Sequence, residues 1–193
     1  MNLSRRCILG KILTGLFLLK FPGHLSSGLI LDQESEQKIR LGYTSFIKEL
    51  QKSKNLLLQK KLKELILQRE FGKGFDFHLR NAGLDFKEVQ IISNAMMKAT
   101  KHGILNLKSF SLSYNPEITD QGVGLLVKAF PPQITELGLV GCDLGDEAGE
   151  GIYQYLENSA LELVCIEGNN FSPVLMDKFK KLREQKPNLS LLI

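Results

Sequence analysis

Glu136, Glu162 and Glu167, together with His24, His78 and His102 and the thiols Cys7, Cys142 and Cys165, are the residues whose types could do chemistry. Two carboxylates facing each other across a parallel ladder, where strands run about 4.8 Å apart, could divide the work of general acid and base. An open sheet excludes no water, however, and so gives no means of tuning either proton affinity. A solvated rim of charge is the expected outcome. The histidines show no HExxH spacing, and no CxxC accompanies them, so no metal site is expected. Gly141-Cys-Asp-Leu-Gly-Asp-Glu-Ala-Gly149 is glycine-rich, but its charges are acidic and would repel a phosphate. The chain has no G-x-S-x-G elbow and no Walker loop. It is expected not to be an enzyme and to carry no catalytic, metal or cofactor residues and no cofactor.

The elements that position these residues are set by repetition. Three copies begin Leu107-Lys-Ser-Phe110-Ser-Leu112-Ser-Tyr-Asn115, Ile134-Thr-Glu-Leu137-Gly-Leu139-Val-Gly-Cys142 and Leu161-Glu-Leu-Val164-Cys-Ile166-Glu-Gly-Asn169. A fourth starts at Leu189-Ser-Leu-Leu192, and the period from Leu112 to Leu139 to Ile166 is 27 residues. Such a unit cannot bury its apolar face alone and must stack on its neighbours. Phe110 with Leu112, Leu137 with Leu139 and Val164 with Ile166 alternate as inward residues of short strands. Asn115, Cys142 and Asn169 fall where the chain leaves each strand and make a ladder. Asn there can satisfy both donors and acceptors of the turn, and Cys packs as a small, weak donor.

A helix follows each strand. Thr119 or Asp120 caps the run Val123, Leu126, Ala129 and Phe130, Asp146 caps Gly149, Ile152, Tyr155 and Leu156, and Ser172-Pro173 caps Leu175, Phe179 and Leu182. Pro131-Pro132 and Pro187 stop the first and third of these. A degenerate copy precedes them at Phe77-His-Leu79-Arg-Asn-Ala82-Gly-Leu84, with Ala82 in the Asn/Cys place and 33 residues from Leu79 to Leu112. Asp85 and Glu88 read as a capping box, and Gly103 as a left-handed helix stop.

The pattern L-x-x-L-x-L-x-x-N/C-x-L resembles the leucine-rich repeat. The phrases Asn115-Pro-Glu-Ile-Thr-Asp-Gln-Gly122 and Gly141 to Gly149 are similar to its ribonuclease-inhibitor-like class. The resemblance implies an α/β fold, a short leucine-rich-repeat solenoid with parallel strands inside, helices outside and an α-helical N-terminal cap. It also implies a scaffold for protein recognition.

Three segments are expected. Residues 74–193 carry about four strand-helix units. Residues 29–73 form the helical cap, with Ile39, Tyr43, Phe46, Ile47 and Leu50 at helical spacing, a break at Ser53-Lys-Asn55, and then Leu58, Leu62, Leu65 and Ile66. Residues 32–73 have a net charge of +4 and residues 74–193 of −4. With neither an aromatic platform nor a dense basic run, the cap is read as a solvated helical face, and no nucleic acid is expected.

Residues 1–28 run from Arg5-Arg6 through the apolar stretch Ile12 to Leu19 to Ser26-Ser27-Gly28, with no acidic residue before Asp32. That order reads as a signal or targeting segment, or as an N-terminal anchor. Export to the periplasm, surface or medium is expected, and Ser4-Arg-Arg-Cys-Ile-Leu resembles the twin-arginine consensus. A membrane anchor and a mitochondrial presequence stand as alternatives. Cys142 and Cys165 face opposite ways along the repeat and are expected to be free thiols.

Function is then expected on a surface. The residues singled out on the concave face are His78, Arg80, Ser111, Ser113, Tyr114, Glu136, Val140, Glu162, Cys165 and Glu167. Tyr114 and Val140 offer apolar contact, while the glutamates form a negative edge suited to a protein with a basic patch. The expected task is non-catalytic recognition of a protein partner by a monomer, in the manner of an exported bacterial effector or surface adaptor. The alternative is an assembly or scaffold factor tethered to a membrane by an uncleaved N-terminus, whose basic helical cap contacts anionic lipid.

Overall fold

Apolar residues at helical spacing, then at strand spacing, dictate the order of elements. The computed structural model describes residues 33–67 and 74–193. The targeting segment with Cys7 and His24, and residues 29–32 and 68–73 of the expected cap, lie outside the described residues. Helix α1 (Gln33–Leu50) buries Ile39, Tyr43, Phe46 and Leu50, which recur along one face. It stops before Ser53-Lys-Asn55, and Asn55 Oδ1 accepts from the Leu58 N–H at 3.0 Å to start α2 (Leu56–Leu67).

Strand β1 (Phe75–His78) and α3 (Phe86–His102) follow, then β2 (Leu107–Ser111), a 3-10 turn (Pro116–Ile118) and α4 (Asp120–Ala129). The rest of the chain is β3 (Glu136–Gly138), α5 (Asp146–Asn158), β4 (Leu163–Cys165), α6 (Pro173–Gln185) and β5 (Ser190–Leu192). The fold is α/β. The five strands lie in sequence order, and every neighbouring pair is parallel. Crossovers of one hand between adjacent parallel strands put α3 to α6 on the same side of the sheet.

The 27-residue spacing becomes register: Phe110 pairs with Leu137, Leu137 with Val164 and Val164 with Leu191. Phe77 joins this row opposite Phe110, and the two rings stack at 5.7 Å. All five side chains are buried under the helices. Each contributes about 1.5–3 kcal/mol by leaving water. The six extra residues of the first copy go largely into α3, which has 17 residues against 10 in α4 and 13 in α5. α1 covers the outer edge of this copy, with Phe46 against both Phe75 and Phe77.

The polar ladder works between copies. Asn115 Oδ1 accepts from the N–H groups of Ala82 (2.8 Å) and Leu84 (3.1 Å), and its Nδ2 donates to the carbonyls of Leu79 (2.8 Å) and Leu112 (2.7 Å). Asn169 does the same two copies later, accepting from Cys142 and Leu144 and donating to Leu139 and Ile166. Each Asn therefore serves the turn before its own. Ala82 needs no such side chain, because no earlier turn precedes it among the described strands; its carbonyl instead accepts from Asn55 Nδ2 at 2.9 Å. Cys142 donates through Sγ to the Leu112 carbonyl at 3.4 Å.

Three local expectations are corrected. Asp146 does not cap its own helix: the N-cap of α5 is Gly145, and the capping carboxylate is Asp120 of the previous copy, accepting from Gly145 (2.9 Å) and Ala148 (3.2 Å). Asp146 in turn accepts from the Ser172 N–H at 2.7 Å. The Ser172 hydroxyl first, and then this N–H, hold its carboxyl below the ordinary aspartate value. Asp85 caps α3 through the Glu88 N–H, but Glu88 does not reach back; it takes the Ser53 hydroxyl at 2.5 Å. Gly103 is extended, not left-handed, at φ 180°. It is glycine because a Cβ would lie 2.1 Å from the Lys38 carbonyl oxygen, where α1 crosses the end of α3 and Ile104 donates to that oxygen.

Glu49 of α1 is buried and accepts from Lys52 (2.6 Å) and Lys98 (2.7 Å). Burial works to raise its proton affinity, but the two ammonium groups prevail and hold the carboxyl below the usual glutamate value. A carboxyl depressed in the folded state adds stability above its unfolded pKa and loses it as pH falls through the folded one. Urea midpoints should therefore fall below about pH 4.5 in the wild type, and a Glu49→Gln variant should lack that part of the fall. Removing the buried acceptor leaves backbone groups unpaired, so Asn115→Ala should cost about 3–4 kcal/mol in urea unfolding and Asn169→Ala, which is less buried, about 2–3 kcal/mol.

Candidate functional site

The sheet face opposite the helices carries the residues that alternate with the buried row. Register sorts them into rows. Asp76, Ser109, Glu136, Leu163 and Ser190 form one, and His78, Ser111, Gly138, Cys165 and Leu192 the next. Just beyond the strands, main-chain bonds from Asn81 to Ser113, from Tyr114 to Val140 and from Gly141 to Glu167 continue the ladder, so Arg80, Ser113, Val140 and Glu167 form a third row.

Asn81, Tyr114, Gly141 and Gly168 occupy equivalent places and all have positive φ, between 48° and 69°. Tyr114 holds this conformation with a bulky side chain, at a cost of about 1–2 kcal/mol. Its ring is gripped on both sides. The Arg80 guanidinium lies 4.0 Å from the ring centroid, and a Cβ on Gly141 would come within 3.2 Å of the ring. The cation–π contact offsets part of the strain, about 0.5–1 kcal/mol. Arg80 and Tyr114 are thus held in one arrangement.

Beside them the polar side chains are already bonded. His78 Nε2 and Ser109 Oγ are 2.7 Å apart, Ser111 and Ser113 share a hydroxyl contact of 3.1 Å, and Ser113 accepts from the Val140 N–H at 3.1 Å. From β1 to β5 the face passes from polar to apolar. Asp76, His78 and Arg80 are exposed at one end, whereas Leu163 and Leu192 are partly exposed at the other.

Of the residues singled out from sequence, His78, Arg80 and Glu162 are exposed, and Ser111, Tyr114, Glu136, Val140 and Glu167 are half-buried. Ser113 and Cys165 are each only 5% exposed and offer little to a partner. The three glutamates are not brought together. Glu136 pairs with Leu163, so Glu162 lies one residue out of phase on the other side of the pleat. Glu167 is four residues past Leu163, about 13 Å further along the strand. No acid–base pair results. Ser109, whose hydroxyl fixes His78, and Gly141, which supports the Tyr114 ring, belong to the site although sequence reasoning did not single them out. The signal for Gly141 was there, since it stands at the period from Tyr114.

Among the described residues no group of three or more His, Cys, Asp or Glu side chains could hold a metal ion, and no helix is long and apolar enough to cross a membrane. No protein-family model matches the chain, and no curated protein matches it.

Cys142 and Cys165 are buried and form no disulfide. Burial pushes the Cys142 thiol above its ordinary value, against the backbone of Asn115 and Tyr114. Both thiols should therefore be protected in the native state. In a Cys7→Ser background, a disulfide reagent such as dithiobis-nitrobenzoate should release almost no colour at pH 8 until denaturant is added, and two equivalents afterwards. Fast native labelling of Cys142 would contradict this packing.

Proposed function

We infer that the chain is a leucine-rich-repeat solenoid of the ribonuclease-inhibitor-like class, capped at its start by α1 and α2, and that it binds a protein through the concave face of its sheet without doing chemistry. What supports the repeat reading is the coincidence of the 27-residue period with the strand register and with the Asn115 and Asn169 bonds to preceding turns. The observation that carries the binding reading is the Arg80–Tyr114 stack on a face that no described helix covers. A strained aromatic fixed under a guanidinium presents area at little further entropic cost, which is what a binding hot spot requires. Partly exposed Val140 and Leu163 extend the apolar contact, and Glu136 and Glu167 supply a negative border suited to a basic partner.

Affinity capture with the wild type and with Tyr114→Ala plus Glu136→Lys tests this reading. The double variant should keep its circular dichroism spectrum and weaken binding of the captured partner by about tenfold or more. Undiminished capture would move the interface off the sheet.

A further inference from the structure

Helix α2 has an outer face that the repeat reading does not use. Leu58, Leu62 and Leu65 are buried, and the Tyr43 hydroxyl fastens the end of the helix by donating to the Leu65 carbonyl at 2.7 Å. On the opposite side Leu56 is 84% exposed and Leu67 79%, and Leu57 and Ile66 are about half exposed. Eleven positions separate Leu56 from Leu67, which is three turns, so the two leucines point the same way about 16 Å apart. Lys60 and Lys63 stand between them on that face, both exposed and neither in an ion pair among the described residues. Exposed Lys52 and Lys54 precede the helix. Its one acidic residue, Glu64, faces Lys61 at 3.7 Å.

We propose that this face of α2 rests on an anionic lipid bilayer, with Leu56 and Leu67 entering the headgroup boundary and Lys60 and Lys63 meeting lipid charge. A helix that lies on a membrane combines large apolar side chains with lysines in this way. Charge selects the occupant. Exposed Lys60 and Lys63 on this face, with Lys52 and Lys54 just before the helix, match a negatively charged surface. The contact is independent of the open sheet face.

The chain has no tryptophan, so Leu67→Trp is a unique reporter, and Val174→Trp at the 72% exposed position on α6 is its control. Full-length protein is mixed with vesicles of phosphatidylcholine and phosphatidylserine, and with phosphatidylcholine vesicles alone. Emission from Leu67→Trp should shift to the blue with the anionic vesicles only, and that from Val174→Trp should stay put. In co-flotation, Lys60→Glu plus Lys63→Glu should weaken binding by about tenfold or more, as should Leu56→Gln plus Leu67→Gln. Unchanged flotation of both variants would assign the lipid contact to residues outside α2 and overturn the proposal. Loss with the lysine pair but not with the leucine pair would mark a polyanion site, and equal blue shifts at both tryptophans would mark non-specific adsorption. Either result also overturns it.

Discussion

Everything in the strand-helix part of this protein depends on one kind of bond: a side chain in one copy satisfying the backbone of a neighbouring copy. A turn that leaves a buried strand has N–H and C=O groups with no strand to pair with, and leaving them bare costs more than any one hydrogen bond gains. Asn115 and Asn169 close those groups with a single planar amide each, using its oxygen for two donors and its nitrogen for two acceptors. Asp120 and Asp146 do the same in the opposite direction at the helix starts, where each carboxylate also meets the positive end of the next helix dipole. The copies are therefore linked on both sides of the core, and the apolar rows between them have fixed partners.

The open face follows from that linkage. With the buried row committed to the helices, the alternate residues must project to the other side, where no described helix covers them. Most of them are tied down by short local contacts, as in the pairing of His78 with Ser109 and of Ser111 with Ser113. Only the Arg80–Tyr114 pair combines size, exposure and a fixed geometry, and it does so at a left-handed position where the other copies have Asn or Gly. Water reaches the carboxylates of this surface, and the glutamates occupy three different levels of the sheet.

Much of this was legible in the residues. The period, the inward pairs from Phe110 to Ile166, the helix stops at Pro131 and Pro187, the break at Ser53 and the cap at Ser172 are local patterns, and local patterns are set by backbone geometry within a few residues. The site was legible in part. Tyr114, Arg80 and His78 could be placed on the face, but the burial of Ser113 and Cys165 could not be read from alternation, which gives direction and not cover.

What the sequence determined by itself is the set of elements and the spacing that brings Leu137 beside Phe110 and Val164. What only the tertiary structure decided is who serves whom. Asp120 and Asp146 have the right chemistry to cap their own helices, and Gly103 has the right type for a left-handed stop, yet all three act on a neighbouring segment. A hydrogen bond from residue i + 3 and one from residue i + 25 look alike to the accepting carboxylate. Which is made depends on the distance between stacked copies, a quantity that no single stretch of chain contains.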